Sequence, residues 1–126
     1  EARHVGRGWS IHDGHAAAMR VLDVPPSRRP TALFAVCDRV AAGALLAAAR
    51  LGASVPEDLS IVGFDDQEAL AESLVPPLTT VALPHALMGE TAVELALAVA
   101  RGEQPDPPQR VLPCPLVVRD STARPR

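Results

Sequence analysis

Lysine is missing from this sequence of 126 residues, and all twelve of its basic residues are arginine. A Walker-type phosphate loop, a Schiff-base site and the lysine-dependent acidic pocket of response-regulator receivers each need a lysine amine, so all three are excluded. With abundant Ala and Pro, the arginine bias points to a GC-rich coding sequence. Positive charge is not in excess either: the net charge is -3, which leaves nothing that reads as a surface for nucleic-acid phosphates. Tyrosine is absent, and the aromatics reduce to Trp9, Phe34 and Phe64. Cysteine is scarce: Cys37 and Cys114 form no metal-binding spacing and read as reduced thiols of a reducing compartment. The longest apolar stretch, Val40 to Ala49, is about half of a membrane span, and no charged-then-apolar leader opens the sequence, so a soluble cytoplasmic protein is expected. There is no GxSxG elbow, no repeat and no low-complexity tract beyond alanine. The sequence starts at Glu1 instead of a methionine, as a fragment does, and its length suits one domain.

What is present alternates in period. Ser10 to Leu22 has a capping serine and apolar positions at Ala16, Met19, Val21 and Leu22, and Pro25-Pro26 stops it, which predicts a helix. Thr31 to Val36 is continuously apolar, as a parallel strand covered on both faces is. Asp38 is placed to cap a helix from Arg39 to Leu51, closed by Gly52, whose alanines let another helix approach closely. A second buried strand follows, Leu59 to Phe64, completing a βαβ unit. The acids at 65 and 66 are expected to open a short helix running to about Glu72, broken by Pro76-Pro77. Thr79 to Leu83 is β-prone, and Met88, Ala92, Leu95, Ala96 and Val99 mark one face of a helix from His85 to Arg101. A last strand, about Arg110 to Arg119, contains Pro113 and Pro115 and is therefore an edge or a crossing segment.

Ligands of open parallel sheets bind at the carboxyl ends of the strands. Two strands here end in acids, Cys37-Asp38 and Asp65-Asp66, and if the strands are parallel both open onto one rim. Asp38 reads first as a helix cap. The Asp65-Asp66 pair reads equally as cap or as ligand contact, because a carboxylate takes two neighbouring hydroxyls of a sugar or nucleoside at once; paired acids could also hold magnesium, though no third acid supports it. Trp9 is either a plug beside the first helix or a flat wall for an apolar ligand face. Phe34 and Phe64 are expected in the core. His12 and His15 share a helical face without further metal ligands and read as solvated. No catalytic constellation emerges.

Three ordered runs, PTALFAVCDRVAAGALLAAARLGASVPEDLSIVGFDD, PPLTTVALPHALMGETAVELAL and LVVRDST, resemble the C-terminal effector-binding region of the LacI/GalR family of bacterial transcription regulators over Trp9 to Thr122. The resemblance implies an α/β, periplasmic-binding-protein-like (type I) fold, a parallel sheet sandwiched between helices, with residues 1–126 forming a single partial effector-binding domain: the C-terminal subdomain plus crossover segments. It implies a small-molecule effector, a sugar or a nucleoside, a homodimer, and operator DNA bound only through a helix-turn-helix domain that this sequence lacks, with no membrane partner, cofactor, metal or catalytic residue. Asp65 falls on the family's ligand-binding aspartate and Trp9 on its stacking aromatic. Cys37 lies where many members have a ligand-bonding Asn, followed by an Asp that corresponds to Asp38. The family's ligand-binding arginine falls upstream of Glu1. The helices after Asp38 and after Asp66 belong to the family's dimer interface, and the helix from His85 packs on the missing subdomain, so the chain alone is expected to self-associate or to be marginally stable. A transport binding protein of the same fold and a metal-dependent α/β enzyme are the alternatives.

Overall fold

The computed structural model describes Gly6, residues 8–104, Pro107 and residues 109–124. It divides into two compact units, Glu1–Ala82 with Leu116–Arg126, and Leu83–Pro115.

The first unit begins with helix α1, Ile11–Leu22, and its start is set by a reciprocal capping box. Asp13 N–H donates to Ser10 Oγ at 3.1 Å while Ser10 N–H donates to Asp13 Oδ2 at 3.0 Å, so two otherwise orphaned amides are satisfied. Strand β1, Ala32–Phe34, helix α2, Asp38–Arg50, and strand β2, Ser60–Asp65, form the expected βαβ unit, with β1 and β2 parallel from Ala32↔Ser60 to Phe34↔Val62. Strand β3, Thr79–Ala82, adds parallel to β2, and β4, Leu116–Val117, closes the order β1-β2-β3-β4 antiparallel to β3. The proline-interrupted last strand is thus an edge strand, shortened to two residues. Arg29 ties the layers, donating from Nε to the carbonyls of Leu22 and Val24 and from Nη1 to that of Leu51.

The core lies between α1, α2 and one face of the sheet, where Leu22, Ala41, Ala47, Leu59, Ile61 and Leu78 are buried. The predicted small-residue contact of α2 is with α1. A Cβ on Gly14 would overlap the backbone of Val40, and one on Gly43 would overlap the backbone of Ile11 and His15, so the two helices cross with their backbones nearly touching.

Two expectations are corrected. Phe34 is 65% exposed, because β1 is the sheet's edge and its alternate side chains leave the face that packs on the helices; it meets Phe64 edge-on at a centroid distance of 6.5 Å. Asp65 ends β2, and residues 66–72 are irregular chain and turns with no helix. Asp65, Asp66 and Ala69 have φ of 110, 51 and 60°, outside the helical region.

In the second unit, helix α3, His85–Ala100, starts where expected and ends one residue before Arg101, which is its C-cap, and it carries no buried residue. No helix among the described residues is long and apolar enough to cross a membrane.

Candidate functional site

The carboxyl ends of β1 and β2 lie side by side, and the residues that follow them meet there. Beyond β1, Cys37 is buried and is the N-cap of α2 without a capping side-chain bond. Its thiol points elsewhere, donating to the Trp9 carbonyl at 3.7 Å. That contact brings the segment before α1 onto the rim. Trp9 itself is 65% exposed, which removes the core-plug alternative.

Asp38 does not cap α2. It is the helix's first residue, wholly buried, and its carboxyl oxygens are engaged by other elements: Thr80 Oγ1 donates to Oδ1 at 2.6 Å, and the Gln67 backbone N–H donates to Oδ2 at 2.6 Å. This side chain lies behind the rim, joined to the turn that carries Asp65 and Asp66. The Cys37 thiol and the adjacent Asp38 carboxyl thus connect the segment before α1 to the turn after β2.

The acid pair is divided. Asp66 Oδ1 lies 2.8 Å from Arg119 Nη2, while Arg119 Nη1 donates to the Leu78 carbonyl at 2.9 Å. Asp66 is thus an anchor for the turn, with its charge met by a guanidinium. Asp65, half-buried at the end of β2, also has an interaction within the protein. No group of three or more metal-ligating side chains gathers among the described residues. His12 is exposed and His15 half-buried.

A second polar cluster, which sequence reasoning missed, locks the start of β3. Ser121 Oγ accepts from Thr79 N–H at 2.8 Å and donates to the Ile61 carbonyl at 2.6 Å, and Ile61 N–H donates to the Ser121 carbonyl at 2.8 Å. Thr79 Oγ1 accepts from Arg119 N–H at 2.9 Å. The sequence signal was the pair Thr79-Thr80 in an apolar strand, whose hydroxyls need partners once buried.

A cavity of about 400 Å³ lies between α1, α2 and β1, lined by apolar side chains including Val21, Leu33, Phe34 and Val40. Another, about 560 Å³, sits at the amino ends of the strands beside Arg29, Glu57 and Asp58, away from the acid-bearing rim.

The sequence pattern of the periplasmic binding protein-like domain matches residues 2–122. The chain is 39% identical over 123 residues to the HTH-type transcriptional repressor CytR of Escherichia coli (strain K12), covering 97% of this chain and 35% of that protein. Among solved structures it is similar to the Lac repressor dimer bound to operator and the anti-inducer ONPF, with a TM-score of 0.80 and 32% identity over 92% of this chain and 39% of that one. It is also similar to the transcriptional regulator CelR–cellobiose complex, with a TM-score of 0.80 and 36% identity over 90% of this chain and 34% of that one. The chain spans about a third of the length of the curated relative.

Proposed function

The chain belongs to the periplasmic binding protein-like domain family, in the form carried by LacI-family regulators, and from that premise we propose that it is the effector-sensing part of a transcriptional regulator whose ligand is a sugar. The observation that supports this is that adjacent residues reach both segments, Cys37 donating to the Trp9 carbonyl and Asp38 accepting from the Gln67 amide just beyond Asp65, with the Trp9 side chain exposed. A sugar ring has an apolar face for an indole to stack on and adjacent hydroxyls for a carboxylate to accept. Trp9 and Asp65 are the contacts in this reading, whereas Cys37 and Asp38 shape the wall behind them. Cellobiose in the CelR complex supports the sugar class.

The effector bridges this rim and a second subdomain and shifts their relative orientation, which changes operator affinity by differential binding to the two states. The regulator acts as a homodimer in this reading, supported by the dimeric, operator-bound Lac repressor among the similar structures. DNA contact belongs to a separate helix-turn-helix domain. The Asp66–Arg119 ion pair removes one member of the acid pair from metal binding, which disfavours the metal-dependent enzyme alternative.

Calorimetry on the full-length regulator with cellobiose, sucrose, glucose and adenosine tests the proposal. Saturable binding of a sugar that alters Trp9 fluorescence is the expected result. Asp65→Asn then weakens that binding by about 1.5–3 kcal/mol, the worth of a hydrogen bond to a charged group. Binding of adenosine alone overturns the sugar class, and an unchanged affinity in the variant removes Asp65 from the contact set.

A further inference from the structure

Two of the three runs of sequence that resemble the regulator family meet at one side chain. Asp38 comes from the first, Gly63 and Gln67 flank the acids that end it, and Thr80 comes from the second. Thr80 lies 42 residues from Asp38 and Gln67 lies 29 residues from it, yet both donate to its carboxyl at 2.6 Å. Gly63 pairs with Thr80 across β2 and β3. A Cβ at Gly63 would overlap Asp38 Oδ1 and crowd Leu78 and Thr80, so the carboxyl reaches β3 only by passing over bare backbone.

The turn it holds is strained. Asp65 at φ 110° and Asp66 at φ 51° occupy conformations that cost of order 1–3 kcal/mol for non-glycine residues and persist only where surrounding structure fixes them. Among the ties that do so are Asp66 to Arg119, with side chains 25% and 20% exposed, and Gln67 N–H to the buried Asp38. The first is partly screened by solvent; the second is not. Resting on the reading of Asp65 as an effector contact, we propose that Asp38 is the positioning residue for Asp65: it touches no effector, and it sets the direction of the Asp65 carboxyl by fixing the backbone immediately beyond the acid pair.

Amide hydrogen exchange on the full-length protein tests this without an effector. In Asp38→Ala the Gln67 amide exchanges at least roughly tenfold faster than in the wild type, while the Ile61 amide, held by Ser121, keeps its rate. Asp38→Asn keeps the Gln67 rate within about threefold, because its carbonyl accepts from Gln67 and its amide donates to a Thr80 hydroxyl turned to accept. Should the alanine chain not fold, Thr80→Val frees Oδ1 without emptying the site and raises the Gln67 rate by about threefold. An unchanged Gln67 rate in the folded variant, or an equal rise at Ile61, overturns the proposal. With cellobiose as probe, Asp38→Ala lowers affinity by about tenfold in the wild-type background, Asp38→Asn restores it, and in an Asp65→Asn background the alanine costs nothing more. Additive losses overturn the proposal. If cellobiose does not bind the wild type, cellobiose is ruled out as the sugar while the exchange result still decides the role of Asp38.

Discussion

Asp13 is held below its ordinary titration range by the hydroxyl of Ser10, then by the Ser10 backbone amide, with smaller contributions including the charge of His12. A carboxyl whose folded pKa is lowered stabilises the fold fully above its unfolded value, and that contribution is lost as pH falls through the lowered one. Trp9 adjoins this cap and is the only tryptophan, so its fluorescence reports the event. An acid titration is expected to show a transition below the usual aspartate range that Asp13→Asn abolishes; the same curve in both proteins sinks the assignment. The cap itself was legible, since a serine before an apolar helical period has one common use. Asp38 was not: an aspartate before a helix looks like a cap, and only tertiary contacts divert its oxygens to Thr80 and Gln67. The mark the sequence did carry was Gly63, a glycine inside an apolar strand, where a close approach is the usual cause.

The helices and β2 follow the pattern of apolar periods closely, with ends shifted by a residue or so, whereas the strand expected over Thr31–Val36 keeps three residues and the one expected over Arg110–Arg119 keeps two. Residues 65–72 failed because composition favours a helix there while two aspartates and Ala69 take left-handed backbone angles imposed by neighbours. The alanine-rich surface of α2 correctly announced a close partner, and the glycines at the crossing make a sharp prediction. Gly43→Ala forces its methyl into the backbone of Ile11 and His15. Chemical denaturation is expected to show a loss of about 1–3 kcal/mol, the usual cost of overpacking, together with a shift in Trp9 emission as α1 is pushed away. A loss no larger than that of an exposed alanine substitution would mean the helices separate freely.

At the scale of the molecule, large apolar side chains remain uncovered in this chain: Phe34, Leu46, Val75 and Val118 are 65, 57, 90 and 69% exposed. Apolar surface of this extent invites association. Sedimentation velocity over a rising concentration series of the 126-residue chain is expected to show growing species, and a single compact, concentration-independent monomer would contradict it. The α/β class and parallel order were readable from buried runs alternating with helical ones; the division into two units was not, because it depends on which contacts the chain makes between distant segments.

The residues from Arg119 to Thr122 fasten β2 to β3, with Ser121 joined to both Ile61 and Thr79. A ribosome releases Ile61 long before Ser121. Until that tail emerges, the carbonyl of Ile61 and the amide of Thr79 lack the hydroxyl that bridges them, so this sheet is finished after synthesis has passed its last strand.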